Sequence, residues 1–404
     1  MGLTIAICGA GSFGNAFIPL FKAHPLVERV YVAEGLAERR RQAQANPLVS
    51  QVFETLDQLC DSDADAIALF TQRWTHGPQA VQALRAGKHV YSAVPAAVTL
   101  DELAELVRAV EQTGLTYMLG ETSYYYPSCV FCRDKFRQGE FGQFVYGEGE
   151  YLHDMSHGFY EPYSGSNGAE WKRFASFPPM LYPSHSVSMV LAVSGARMTS
   201  VSCLGWTDAH EDGIFRRELS EWQNDFSNES ALFRTSDGGM ARINEFRRVG
   251  HWGGASVRCS IYGTQASYEE QANANAWTTL AKEMMDVQEL LTCAPIQKPA
   301  DWEAQRQQGA QEDFFGGLAP VHPRGRLPQS FNGLPNGHYG SHQFLVDDFV
   351  RACATGKLAP NHVWQAARYC APGIVAHESA KQNGALLAIP DFGDPPAGAE
   401  MVEL

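Results

Sequence analysis

Short apolar runs alternate with segments of helical apolar spacing over the first 126 residues. Residues 3–8, Leu-Thr-Ile-Ala-Ile-Cys, form an apolar run, and the Gly9–Phe17 stretch opens a helix. A second strand, Arg29–Glu34, ends on a carboxylate, and a third, Ala66–Phe70, ends at Thr71. His76–Lys88 has a helical pattern and His89–Ala93 an extended one. Leu100–Gly114 repeats apolar residues at helical spacing, with Gly114 as its stop, and Thr116–Glu121 closes the half as a strand. Strand and helix in strict alternation predict a parallel sheet wound on both faces, an α/β fold of the Rossmann type.

The period changes after Pro127. One helix over roughly 128–138 precedes an alternating strand, Phe144–Asp154. Further strands are expected around Met198–Trp206, Glu229–Phe246 and Ser256–Gln271, with hairpin turns at Gly238-Gly239 and Gly263-Thr264. Residues 295–337, rich in Pro, Gly and Gln, read as a long surface loop, and two helices over 342–357 and 363–384 close the chain. The second domain, 127–404, is therefore an α+β unit with an open, mainly antiparallel sheet.

Composition narrows the partners. The 404 residues are 45% hydrophobic and 19% charged, with a formal net charge of -14. That acidity speaks against nucleic acid and against an anionic membrane surface. No segment is apolar for long enough to span a bilayer, and the N-terminus enters a strand at once without a leader pattern. Nine cysteines, an odd and scattered set, read as reduced thiols of a cytoplasmic protein. Cys129 and Cys132 form a CxxC without a second ligand pair, so no metal site is expected.

Gly9-Ala10-Gly11-Ser12-Phe13-Gly14 is a G-x-G-x-x-G run between strand and helix. Gly9 makes the tight turn, Gly11 lets backbone N–H groups approach a pyrophosphate, and Gly14 packs helix on strand. The helix N-terminus adds partial positive charge. Glu34 stands where a carboxylate accepts adenosine ribose hydroxyls, which favours NAD over NADP. Arg39, Arg40 and Arg41 form either a solvated helix face or a clamp for a 2′-phosphate. Residues 1–126 are thus expected to bind a dinucleotide.

With these features, the 66–97 stretch, the second half and the closing helices, the chain resembles the Gfo/Idh/MocA family over nearly all its length. The resemblance implies NAD(P)-dependent chemistry on a small sugar or polyol, a substrate site on the open sheet, and homo-oligomers through that sheet. It places Thr71, Arg73, Trp74, His76, Ala93, Val94 and Pro95 along the cofactor groove. It gives Glu121 either a cofactor or sugar contact or a structural role. Two departures matter. Typical dehydrogenases of the family carry Glu-Lys-Pro where this chain has Ala93-Val94-Pro95, and an Asp where it has Leu181. Both departures are similar to the family's NAD-dependent glycosidase branch, typified by α-N-acetylgalactosaminidases. Tyr151-Leu152-His153-Asp154, Leu181-Tyr182-Pro183-Ser184-His185, Trp171-Lys172-Arg173 and Gly337-His338 fit that branch.

The branch's reaction has no use for the missing lysine. It implies transient oxidation at C3 of the sugar, loss of the C2 proton, elimination of the C1 substituent, addition of water and re-reduction, with a tightly bound NAD recycled each turnover. His185 is then the candidate for the 3-hydroxyl proton, since an imidazole suits reversible transfer at neutral pH. Tyr151 is the candidate base at C2. Tyr182 and His153 orient these groups or polarise the ketone, and Asp154 fixes a histidine tautomer. Core packing is the competing reading for each of these Tyr and His residues. Lys172, Arg173 and His338 are candidate sugar contacts. Arg247, Arg248 and Arg258 join Lys172 and Arg173 either as an anion clamp or as structural pairs. Trp206, His251 and Trp252 either stack on a sugar or pack internally. Two alternatives stay open: a sugar dehydrogenase that works without the lysine, and a non-catalytic dinucleotide-binding regulator.

Overall fold

The computed structural model describes residues 2–156, 160–251, 256–296 and 316–403. Two compact units emerge: residues 1–127, 290–367 and 392–404 form the first, and residues 128–289 and 368–391 the second. Residues 290–367 group with the first unit, whereas chain order alone placed them with the second. No described helix is long and apolar enough to cross a membrane.

Six parallel strands form the sheet of the first unit: β1 Leu3–Cys8, β2 Val27–Ala33, β3 Gln51–Phe53, β4 Ala66–Leu69, β5 His89–Ser92 and β6 Tyr117–Leu119. Their order is β3-β2-β1-β4-β5-β6. Ile5, Ala6 and Ile7 are fully buried because helices cover both faces, which is why these strands read as continuous apolar runs. The expected helix over 100–114 is Leu100–Thr113. Its start is capped by the Thr99 side chain, and its end by Gly114 at φ 66°.

The ladder continues one residue past the strands. Gly9 N–H donates to Ala33 O, Phe70 N–H to Cys8 O, Ala93 N–H to Leu69 O and Gly120 N–H to Ser92 O, at 2.7–2.9 Å. Gly9, Glu34, Phe70, Ala93 and Gly120 therefore share one edge, the carboxyl ends of the strands. The strand order reverses there between β1 and β4, the usual place for a ligand in such sheets.

Part of the expected surface loop, residues 297–315, lies outside the described residues. The rest is a loop packed on its own unit and anchored there by a few buried side chains. Phe331 is buried, Arg326 pairs with Asp348 at 2.8 Å, and a His322 ring nitrogen lies 2.7 Å from Tyr125 O. The helix Ser341–Thr355 is buried along most of its length and meets Phe17, Phe21 and Tyr91 through His342 and Phe349.

In the second unit, a nine-stranded sheet is built from β7 Phe144–Leu152, β8 Met198–Thr207, β9 Phe226–Thr235, β10 Met240–Phe246, β11 Val257–Gly263, β12 Ala266–Gln271, β13 Ala274–Thr279, β14 Met284–Asp286 and β15 Leu387–Ala388. The order is β14-β13-β12-β11-β7-β10-β9-β8-β15. β7 and β10 pair in parallel at its centre, and the other pairs are antiparallel. Both expected hairpins are present, β9–β10 through Gly238-Gly239 and β11–β12 through Gly263-Thr264. The helix Ser184–Ser194 lies against this sheet so closely that only glycine fits beneath it. A Cβ on Gly149 would stand 2.1 Å from Ser186 O, and one on Gly147 would stand 2.8 Å from a Val190 methyl.

Candidate functional site

Two groups of residues carry the candidate chemistry, one in each unit. In the first unit the glycine loop has the form a pyrophosphate needs. Gly9 has φ 94°, and a Cβ there would meet Phe70 O at 2.7 Å. A Cβ on Gly14 would meet Gly9 O at 2.1 Å, so helix and loop stay in contact. Gly11 faces open space apart from an Arg39 guanidinium nitrogen 3.6 Å from its Cβ position. Ser12 begins the helix Ser12–Ala23, whose N-terminus opens on the same loop.

Glu34, expected on the adenosine side, is tied to the loop. One carboxylate oxygen accepts Ala10 N–H and the other Leu36 N–H, both at 2.9 Å. The carboxylate is thereby fixed against the loop, with lone pairs left for ribose hydroxyls. Of the three arginines, Arg40 donates to Glu34 O and Gly35 O and pairs with Glu54. Arg41 pairs with Glu38, and Arg39 alone reaches the loop.

The other expected cofactor residues divide by role. Thr71 Oγ1 bonds within the turn, to Thr75 and Gln79, and Arg73 and Trp74 form that turn. His76 is buried, with Nδ1 2.9 Å from Pro95 O and Nε2 3.1 Å from Thr71 O. Burial pushes its imidazole down to about 4 although both carbonyls pull the other way. His76 thus joins two strand-end loops and presents no free ring edge. Ala93, Val94 and Pro95 are buried and bring no ionisable group, and the Val94–Pro95 bond is cis. Glu121 is fully buried, and one of its oxygens accepts from Ser123 N–H at 3.0 Å and Ser123 Oγ at 2.6 Å.

His338, expected among sugar contacts, stands beside the glycine loop. Its ring centroid is 5.4 Å from that of Phe13, and its Nδ1 is 2.9 Å from His342 Nε2. A left-handed run, His338 at φ 48°, Tyr339 at 54° and Gly340 at 86°, turns it there.

In the second unit, Tyr151 stands one residue before the end of β7 and is the centre of the second group. His153 and His185 stack against its ring at 5.5 and 5.4 Å between centroids, and Tyr182 meets it edge-on at 5.9 Å. The Arg247 guanidinium lies 4.7 Å from the Tyr151 ring centroid. Arg247 Nη2 donates at 2.9 Å to Glu245, whose other oxygen accepts from Ser186 Oγ. Burial raises the Glu245 carboxyl to about 7, against the lowering effect of Arg247.

Four expected residues, Tyr151, His153, Tyr182 and His185, are thus brought together. Arg247 was considered only for an anion clamp, and Glu245 and Ser186 were not singled out. A signal existed: Glu245 and Arg247 lie two apart across the end of β10, and both are buried. The remaining candidates lie apart. Asp154 is bonded to Ser156 N–H and Oγ and to Val249 N–H. Burial opposes its charge, yet those donors hold its carboxyl below the usual range. It ties two loops instead of a histidine. Lys172 donates to Asp212 O at 2.7 Å, Arg173 pairs with Glu221, Arg248 with Asp208 and Asp212, and Arg258 with Glu150. Trp206 is on an exposed sheet face, and Trp252 lies outside the described residues.

The strand order and glycine loop define the class: an enzyme fold with a dinucleotide-binding Rossmann domain and an open-sheet partner domain. Residues 3–121 match the model of the oxidoreductase family, NAD-binding Rossmann fold, of Gfo/Idh/MocA proteins. The match to the Gfo/Idh/MocA family thus covers the dinucleotide-binding domain of the chain. A glycosyl hydrolase family 109 protein of Streptomyces filamentosus is 25% identical over 96% of this chain and 77% of its own length. The α-N-acetylgalactosaminidase of Bacteroides fragilis is 36% identical over 24% of this chain and 23% of its own. Among solved structures, a levoglucosan dehydrogenase complex with NADH superimposes with a TM-score of 0.72 at 17% identity, covering 97% of this chain and 100% of that one. An oxidoreductase domain protein from Kribbella flavida gives 0.73 at 18%, with the same coverage. At such identities these two establish the shared fold.

Proposed function

We propose that the protein is an NAD-dependent glycoside hydrolase that cleaves its substrate through transient oxidation at C3 and elimination across C1 and C2. The observation that carries the reading is the Tyr151–His185 pair beneath the Arg247 guanidinium, in a chain whose β5 end offers no ionisable group. The glycosyl hydrolase names of the relatives support it.

Bound NAD supplies a reversible hydride acceptor, held by the glycine loop and Glu34. The chain's own groups do the proton work. His185 takes and returns the proton of the 3-hydroxyl. Tyr151 removes the C2 proton, which an adjacent ketone makes acidic, with the Arg247 guanidinium over its ring. His153 stacks on the phenol ring and Tyr182 meets it edge-on, and Tyr182 also reaches the His185 ring edge-on at 5.3 Å. Tyr151 and His185 are largely shielded from bulk water, which suits a reversible proton transfer. Water adds where the aglycone left, so the sum is hydrolysis without net oxidation. NAD stays bound between turnovers.

The substrate is a small glycoside. The functional form is a homo-oligomer that pairs the outer face of the nine-stranded sheet, where Leu204, Trp206, Leu232 and Met240 are exposed.

A panel of aryl glycosides of both anomers, followed for aglycone release and for reduced nicotinamide, tests the reading. Aglycone release without accumulating NADH, with solvent deuterium at C2 of the product, is expected. Stoichiometric NADH from free sugars without aglycone release would identify a dehydrogenase and overturn it.

A further inference from the structure

Glu245 occupies a position that packing alone does not explain. In the sheet it stands directly between Tyr151 on β7 and Glu229 on β9. All three are buried, and Glu229 and Glu245 have no measurable exposure. Two carboxylates side by side on an inner sheet face are expensive unless each is fully engaged. Each is engaged by the same short segment. Glu229 accepts Met180 N–H at 2.8 Å and lies 2.8 Å from His377 Nδ1. Glu245 accepts the Ser186 hydroxyl and, through its second oxygen, Arg247 at 2.9 Å. Between Met180 and Ser186 lie Tyr182 and His185. The segment that carries two of the four clustered rings is therefore held at both ends by neighbouring carboxylates. One of these also grips the cation over Tyr151.

We infer that Glu245 is a positioning residue for the Tyr151–His185 pair, its two oxygens fixing the start of the His185 helix and the Arg247 guanidinium in one register. The inference rests on the proposed roles of Tyr151 and His185, and it deepens them. A shift of Glu245 moves both sides of the reacting pair together, and a misplacement of about 1 Å in such groups costs on the order of a hundredfold in rate.

The hydrogen bonding also shows what a proton on Glu245 would do. Ser186 Oγ lies 3.0 Å from Pro183 O as well as beside Glu245. With Glu245 ionised, the hydroxyl donates to the carboxylate. With Glu245 protonated, the acid donates to Ser186 Oγ, whose hydrogen turns to Pro183 O, so the helix stays tied. Arg247 then keeps only a neutral acceptor and loses its ion pair. Charged and titratable groups face Glu245 from every neighbouring element: Arg247 just past the end of its own strand, Tyr151 on β7, Glu229 with His377 on β9's side, and His185 on the helix. Burial raises the Glu245 carboxyl to about 7 against the lowering effects of Arg247, Ser186 and His185, so the switch falls in the neutral range.

Two readouts on the intact protein test the inference. The first is hydrogen–deuterium exchange of peptides spanning 178–194. Glu245→Ala should speed exchange there tenfold or more and leave peptides of the glycine loop unchanged. Ser186→Ala, which removes only a hydroxyl, should produce a smaller increase in the same peptides, and it serves if the Glu245→Ala protein does not fold. The second is turnover on whichever substrate of the glycoside and sugar panel the wild type accepts. Glu245→Gln keeps the shape and loses the charge. It should lower kcat at least tenfold with KM within threefold, and it should alter the acid limb of the kcat profile. Unchanged exchange over 178–194 would overturn the inference. So would a Glu245→Gln enzyme with kcat within twofold of wild type and an unaltered acid limb. Faster exchange together with a wild type that releases no aglycone would uphold Glu245 and sink the glycosidase reading instead.

Discussion

His76 shows how a residue placed correctly by pattern can act differently from expectation. It lies next to the cofactor loops, but its ring nitrogens are turned to Pro95 O and Thr71 O. Such a ring positions two loops and is kept neutral by burial. Its folded pKa, about 4, is below that of the free imidazole, 6.5. The stability it contributes is therefore complete above about pH 6.5 and is lost as pH falls towards 4. His76→Ala should cost roughly 1–3 kcal/mol at pH 7.5, because the buried carbonyl that receives the neutral ring's single N–H loses its donor and the ring's packing between the two loops is lost. Calorimetric melting across pH should show the gap between wild type and variant closing as pH drops to 5. A gap that widens on acidification would mean that His76 is held charged. Titration calorimetry with NAD at pH 7.5 should show weaker binding by the variant, since Thr71 and Pro95 are no longer tied together.

The helix Ser184–Ser194 and strand β7 show which elements are legible before the structure is seen. β7 alternates, and both hairpins after it carry glycine at the turn, so strands and turns follow from local chemistry. The helix was not expected, although it begins within the Leu181–His185 motif. Val187, Met189, Val190 and Ser184, Ser186, Ser188 are all buried, so it has no solvent face and no 3.6-residue period to read. The parallel pairing of β7 with β10 joins residues about ninety apart, and no local pattern encodes it. Tyr151 and His185 were identified from their motifs, whereas Glu245 becomes meaningful only once that pairing sets it beside Tyr151. The two glycines of β7 were a readable sign of close approach. Gly149→Ala would drive a methyl into Ser186 O, so the helix start must move off the sheet. The cost should be about 1–3 kcal/mol. Because His185 rides on the displaced turn, kcat should drop at least tenfold. NAD binding, read by calorimetry, should be unchanged, since the glycine loop belongs to the other unit. A Gly149→Ala enzyme with normal kcat would show that the helix start does not set the position of His185.

At the scale of the whole molecule, two properties oppose each other. The net charge of -14 makes identical copies repel. The outer face of the nine-stranded sheet nevertheless exposes Leu204 at 65%, Leu232 at 60%, Met240 at 51% and Trp206 at 47%. The register makes these neighbours: Leu232 lies opposite Ser202 on β8 and Arg242 on β10, so Leu204 and Met240 are its diagonal contacts. An apolar stripe of this kind across three strands favours a second copy of the same face, which a two-fold axis can satisfy. Self-association should then depend on salt in the direction opposite to an ion-paired interface. Screening weakens the repulsion between acidic copies and leaves the apolar attraction intact. Sedimentation equilibrium should show the dissociation constant falling as sodium chloride rises from 50 to 500 mM. Leu232→Asp combined with Leu204→Asp should abolish the association and leave NAD binding unaltered. A wild type that stays monomeric at tens of micromolar in 500 mM salt would refute the paired face. So would association that weakens as salt increases, because charge and not this stripe would then hold the copies together.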